Sequence, residues 1–470
     1  MRRRAPRTVS RDPRDPFRIP LRSRFEEGRG HHGEVVVAST TNSATASGPG
    51  HGANSVFVRQ FNERVILAAL RRMERASKAE LARVASLTNN ATGVIVQALE
   101  RAGLVQQLGK KRDGGRGQPA TVLALDPDGA YAIGIRLDRG SLETVLVDFA
   151  GKPLARRTHT LDLPPPERTL EIVVRDVAQI AAMLAPDKLD RLVGIGVAAP
   201  YDLGAWLDKL SLPADFGRWN GFDVAGALSA ATGLDVVMEN DGTAATVAEL
   251  FYGQGRHLDD FLYLFLGSAI GGGVVVGGQY LRGPRGNAGD VGMMPVPASR
   301  LASAPKVERS WDILLSRASI NALIRHLRFR GIPVQGLGDV AAAAASAPAA
   351  LEEWLADCTE ALVGPVLAAA AVLDLPVVVL DGDLDPSLLG PLAERLALRL
   401  AAEVPEARTA PRILLGTFGE DAGAVGAASL PFHLNFSPHA AILTGRHADV
   451  WDDRSRSDGD RRDDTRGDPT

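Results

Sequence analysis

Apolar residues recur at helical spacing in "FNERVILAALRRM", at Val65, Ile66, Ala69, Leu70 and Met73, and predict a helix. Ser77, with Glu80 three residues on, carries the pattern of a capping box and opens a second helix over "KAELARVASL". Thr88 or Asn89 caps a third, "NATGVIVQALERAG", which Gly103 ends as a C-cap residue. Two strand-like runs follow, "LVQQLG" and "PATVLALD", around the basic loop "KKRDGGRGQ". Residues 56–126 therefore predict three helices and a two-stranded basic wing, the arrangement of a winged helix-turn-helix domain that binds DNA.

Beyond residue 127 the pattern changes. Strand-like runs at 132–137, 143–148, 193–197, 235–238, 261–266, 273–276, 377–380 and 412–415 interleave with helical runs at 168–184, 222–232, 243–252, 311–329, 351–373 and 387–403. This strand-first alternation, with two internal hairpins, predicts two α/β lobes within 127–445. The ends carry no such period. Residues 1–55 read as a disordered basic segment and 446–470 as a disordered charged tail.

A length of 470 residues suits two or three domains. The net charge of -3 means that any nucleic-acid contact must come from a local basic patch. One cysteine, Cys358, excludes an internal disulfide and a cysteine-cluster metal site, and suits a reducing cytoplasm. With no run of about 18 apolar residues, no membrane span is expected. The N-terminal arginines lack the apolar run of a secretory signal.

The candidate DNA contacts are Lys110, Lys111, Arg112 and Arg116 in the glycine-loosened wing, and Thr88, Asn89, Asn90 and Thr92 at the start of the third helix, with Ser77 and Lys78 at the start of the second. Arginine suits the negative potential of a narrow groove, and asparagine pairs adenine edges. The plainer alternative is a winged helix that makes protein contacts only. A second candidate site lies in "VVMENDGTAATVAELFYG", where a strand ends at Met238 and Glu239, Asn240 and Asp241 sit at its carboxyl end before a helix. Ligands of α/β sheets gather at that edge, and an Asn–Asp pair there grips vicinal hydroxyls. The plainer alternative is that either residue merely caps the helix. A third is the glycine-rich "FLYLFLGSAIGGGVVVGGQYLRGPRGNAGDVGMMPV", which suits a phosphate approach or a sharp hairpin.

Together "VGIGVAAPYDL", "ENDGTAATVAE" and "GPRGNAGDVGMMPV" resemble, in that order, motifs of the ROK family of repressors and sugar kinases. The resemblance implies a two-lobed actin–hexokinase-like (ribonuclease H-like) fold with sugar in the cleft, and an N-terminal winged helix marks the repressor branch. It implies sugar contacts at Asn240, Asp241, Asp290 and Asp312. Kinase members carry Asp-x-Gly-Gly-Thr in the first hairpin. In "AIGIRLDRGSLETVLVDFAG" that match puts Arg136 at the carboxylate and Asp138 and Arg139 at the two glycines. Phosphoryl transfer depends on metal and positioning, so no catalysis is expected, and Asp241 remains as a vestigial base. Ala269 likewise replaces a glycine of the family's Gly-Thr-Gly. Met293 stands at a zinc-binding histidine and no cysteine cluster follows, so neither metal nor cofactor is expected. The leading reading is a sugar-controlled repressor, a homodimer or homotetramer on operator DNA. The alternatives are a sugar kinase with a fused DNA-binding domain and a DNA-binding protein that has lost its effector.

Overall fold

The computed structural model describes residues 55–111, 120–201, 203–204 and 213–443. The terminal segments, the wing residues Arg112 and Arg116, and Asp202 lie outside the described residues, as does the side chain of Lys111.

The head begins with α1 (Ser55–Met73), β1 (Ala76–Ser77), α2 (Lys78–Val84) and α3 (Asn89–Arg101), and ends with β2 (Val105–Lys111) and β3 (Ala120–Leu125). The Ser77 hydroxyl accepts from Glu80 N at 3.3 Å while Ser77 N donates to the Glu80 carboxylate at 2.7 Å, so the capping box is closed at both ends. Thr88 caps α3, and Gly103 follows it with φ of +71°, a left-handed turn that glycine adopts without strain. Ile66, Leu67, Leu70, Leu81, Ile95, Val96, Leu99 and Leu123 pack the head's interior. The strands form an antiparallel sheet in the order β1-β3-β2.

The body holds two five-stranded sheets. In the first, β4 (Tyr131–Asp138), β5 (Ser141–Asp148), β6 (Pro153–Thr160), β7 (Leu192–Ala199) and β8 (Val236–Asn240) take the order β6-β5-β4-β7-β8. Helices α4 (Pro166–Ala181) and α5 (Val224–Thr232) cover it. Helix α6 (Asp241–Tyr252) then crosses to the second sheet, built from β9 (Phe261–Leu266), β10 (Ile270–Val276) and β11 (Gln279–Tyr280). A small hairpin of β12 (Pro295–Pro297) and β13 (Trp311–Ile313) follows, then helices α7 (Ile320–Phe329) and α8 (Pro348–Leu373). The second sheet is completed by β14 (Val377–Gly382) and β15 (Arg412–Leu415), which flank α9 (Pro386–Glu403). Helix α10 (Ala422–Phe436) returns to pack on α6, β4 and β7. The crossing is tight because the residues at it are small. A Cβ on Gly426 would fall 2.0 Å from the Ala244 carbonyl oxygen, and one on Gly196 would fall 1.7 Å from that of Ala427.

Three elements depart from the sequence expectation. The predicted helix 311–329 is shorter: Trp311–Ile313 pair with Pro295–Pro297 as a strand, and Ser319 caps a helix that starts at Ile320. Apolar spacing there reads as helical, but the long-range ladder wins. The edge strand β6 carries mostly exposed polar residues and so shows no alternation. Helix α10 is apolar on every face because it is buried on every face, which erases the helical period. By length and overall composition α8 is apolar enough to cross a membrane, although Glu352, Glu353, Asp357 and Glu360 interrupt it, and Trp354, Leu355, Cys358, Leu362 and Val366 are buried in the second lobe's core.

Candidate functional site

The ends of β4 and β14, the backbone of β10 and the start of α6 come together around Arg136, Asp241 and Asp383. The Asn240 side-chain oxygen accepts from Gly242 N at 2.9 Å and Thr243 N at 3.4 Å, so this residue does cap the helix. Asp241 accepts from Gly242 N at 2.7 Å and sits among charged neighbours. Desolvation and then the Asp138 charge raise its carboxyl pKa, while Gly242 N–H, Arg136 and Arg139 pull it down. A Cβ on Gly271 would lie 3.8 Å from Asp241 Oδ1, so β10 runs directly past this carboxylate.

Asp290 borders the same strand. It follows Gly289, whose added Cβ would lie 2.6 Å from Gly273, and it accepts from Asn287 at 2.9 Å. Asp312 is buried on β13 and accepts from Ile313 N at 2.8 Å and the Ser316 hydroxyl at 3.1 Å. The turn 291–293 packs on the turn 314–316, which places the Asp312 segment beside that of Asp290. Asp241 and Asp290 thus share one strand's surroundings, whereas Asp312 is held within its own hairpin.

Arg136 takes a position that the sequence does not reveal. It leaves β4 and reaches Asp383 of the second sheet, just beyond β14, with Nη2 to Oδ2 at 2.9 Å and Nη1 to Oδ1 at 3.3 Å. Nη1 also donates to the Glu420 carbonyl at 3.3 Å, and the guanidinium stands 5.6 Å from the Phe265 ring centre. Burial opposes its charge, yet Asp383, Asp138 and Asp241 hold it more firmly protonated than usual. Arg136 and Asp383 thus form a forked ion pair between the two sheets. Asp383 was missed in the sequence, although "LDGDLD" at the end of an apolar strand offered the signal.

No group of three or more His, Cys, Asp or Glu side chains suited to a metal occurs among the described residues. Zinc does not fit the segment that follows β12. Met293 offers only a half-exposed thioether, and Cys358 is buried in α8 with its thiol pushed up, out of the usual range, by burial. That segment is held instead by Arg317, which donates to Pro297 O at 2.7 Å and to Asp357 at 2.8 Å, with Ser299 on the same carboxylate at 2.7 Å.

On the head, Lys78, Thr88, Asn89, Asn90, Gln97 and Lys110 are exposed, while the Ser77 hydroxyl is engaged in its cap. Thr92 is not a surface residue. It is fully buried, its hydroxyl has no hydrogen-bond partner, and it begins the inner stripe Thr92, Ile95, Val96, Leu99. Thr92→Val is therefore expected to keep or raise stability, by up to about 1 kcal/mol, because it removes an unsatisfied buried hydroxyl. A thermal melt checks this, and a loss of more than 1 kcal/mol on this scale would contradict it.

The ROK family model matches residues 132–433. The chain belongs to the ROK family. Uncharacterized protein y4fQ of Sinorhizobium fredii is 28% identical over 398 residues, 82% of this chain and 96% of that protein. The xylose repressor of Bacillus subtilis is 22% identical over 59% of this chain and 70% of its own length. The beta-glucoside kinase of Listeria innocua is 36% identical, over 27% of this chain and 44% of its own length. Among solved structures, a ROK family transcriptional regulator homologous to Escherichia coli Mlc superposes with a TM-score of 0.60 at 19% identity, over 84% of this chain and 100% of that one. The ROK family glucokinase of Streptomyces griseus, solved with glucose and AMPPNP, gives 0.51 at 21% identity, over 64% of this chain and 99% of that one. The two-lobed body is thus the ROK fold. Repressors and sugar kinases share it, so the choice between them rests on residues rather than on architecture.

Proposed function

We propose that this chain is a DNA-binding transcriptional repressor whose operator affinity is set by a sugar in the interlobe cleft. One observation carries the reading: in the first hairpin, Arg136 replaces the carboxylate of the kinase motif and is locked onto Asp383. The head supports it. A winged helix presents Asn89, Asn90 and Gln97 beside the Lys110 wing, with the two asparagines for base edges and the lysine for phosphate. The Mlc-like regulator also spans more of this chain, 84%, than the glucokinase does, 64%.

Sugar hydroxyls would meet the Asn240 amide and the Asp241 and Asp290 carboxylates, with Asp312 included on family resemblance alone. Helix α6 links the cleft to the head. It starts at Asp241 and ends at Tyr252, and the following turn grips α1: Arg72 donates to the Arg256 carbonyl at 3.0 Å and pairs with Asp259 at 2.6 Å, and Arg256 pairs with Glu74. A shift of α6 on sugar binding would re-aim the heads of a dimer and spoil half-site spacing.

The kinase reading forecasts ATP-dependent sugar phosphorylation, and the repressor reading forecasts none. Incubated with ATP, magnesium and a broad sugar panel, the protein is expected to show no turnover above background, because Arg136 opposes a phosphate-organising metal. Sugar phosphorylation that disappears in Asp241→Asn would defeat the repressor reading. Sugar-dependent release of a selected operator fragment would support it.

A further inference from the structure

Glu249 closes the motif "ENDGTAATVAE" and is not among the sugar contacts proposed above. It stands near the end of α6 and is fully buried. Its carboxylate takes three donors. Oε1 accepts from Gln254 N at 2.6 Å and from the Thr417 hydroxyl at 3.0 Å, and Oε2 accepts from Thr417 N at 3.0 Å. The side chain folds back over Gly253, where an added Cβ would fall 2.4 Å from Oε1. Two segments distant in sequence thus end on one carboxylate. Burial raises its pKa, and the Gln254 and Thr417 donors pull it down.

Each segment leads to a different part of the molecule. Gln254 opens the turn 254–257, which grips the head through Arg72 on the Arg256 carbonyl and Arg256 on Glu74. Thr417 lies in the loop between β15 and α10. Farther along that loop the Glu420 carbonyl accepts from Arg136 at 3.3 Å, and Asp421 pairs with Arg156 of β6. Asp381 of β14 fixes the middle, accepting from Gly419 N at 3.0 Å. The loop is therefore anchored at Arg136, whose charge acts on Asp241, and at Glu249, near the other end of α6.

We propose that Glu249 is a positioning residue that couples the sugar site to the head. Loop 416–421 moves with Arg136, and Glu249 passes that movement to the turn that holds α1. The inference rests on the repressor reading above. A carboxylate suits this task because it presents only acceptors, one oxygen to each side. Glutamine has the same shape but a single acceptor oxygen. With that oxygen on Gln254 N and the Thr417 hydroxyl, its amide N–H would face Thr417 N, donor against donor. Glu249→Gln therefore parts the loop from the turn without opening a cavity.

The test needs no sugar, because coupling between two binding sites acts equally in both directions. The full chain is given a short duplex carrying the sequence that the wild type enriches from a random DNA pool. Hydrogen exchange is followed with and without this DNA at Gly419 and Asp421, whose amides bond Asp381 and the Phe418 carbonyl rather than Glu249. In the wild type, DNA is expected to change that exchange by about fivefold or more. In Glu249→Gln the change is expected to vanish while DNA affinity stays that of the wild type. Thr417→Val, which removes one donor on an exposed residue, is expected to lose part of the change and decides the matter if Glu249→Gln does not fold. A wild-type loop that ignores DNA, or a variant loop that responds as the wild type does, would overturn the coupling and leave the repressor reading standing. Failure to enrich any sequence would remove the repressor reading and the coupling with it.

Discussion

Asp241→Ala is expected to weaken the inducing sugar about tenfold to a hundredfold and to leave operator affinity without sugar unchanged. The loss follows from chemistry at the cleft. A site built to bond hydroxyls loses about 1–3 kcal/mol for each polar group left without its partner. Asp241 is well placed to be such a partner, because its carboxylate lies beside the backbone of β10 and Asn240 is already engaged in capping α6. The head is held at the far end of α6, where Arg72 meets the Arg256 carbonyl, whereas Asp241 opens the helix. The variant would stay on DNA when sugar is added. Calorimetry with the inducing sugar and an operator-release titration measure the two halves separately. An unchanged sugar response would reduce Asp241 to a structural residue.

The wing gives the second large effect. Replacing Lys110, Lys111 and Arg112 together by alanine is expected to lower DNA affinity about a hundredfold at physiological salt, because each phosphate contact releases nearly one counterion. The plot of log affinity against log salt should flatten by roughly three for the same reason. The loss should be nearly equal on operator and on unrelated DNA. Asn90→Ala, on the exposed start of α3, should act differently and relax preference at one base pair by about 1–3 kcal/mol. Filter binding across a salt series separates the two. Normal operator binding by the triple variant would remove the wing from the interface.

Local signals were readable where local chemistry decides the structure. Ser77, Glu80, Thr88 and Gly103 each make the cap that their residue type favours, and the strands ending at Asp138, Asn240 and Leu266 fall where their apolar runs place them. Reading failed where distant packing decides. Helix α10 has no polar face to betray it, and β13 forms only because Pro295–Pro297 offer it a partner. Thr92 looked like a surface hydroxyl because it is polar and near a helix start, although its spacing to Ile95, Val96 and Leu99 already marked the inner stripe. The cleft shows the same division. Arg136 was legible as a departure from the kinase motif, but its partner lies 247 positions away, and only the fold brings Asp383 to it.

That pair bears on what a single substitution at position 136 can do. Restoring a carboxylate at position 136 alone would strip Asp383 of its cation and set a fourth acid among Asp138, Asp241 and Asp383. Removing one member of a buried pair costs about 3–5 kcal/mol, a large part of the roughly 5–15 kcal/mol that holds a domain folded. A variant with a carboxylate at position 136 would need Asp383 altered at the same time. The ion pair acts as a lock on this part of the fold: either residue can be exchanged only together with the other.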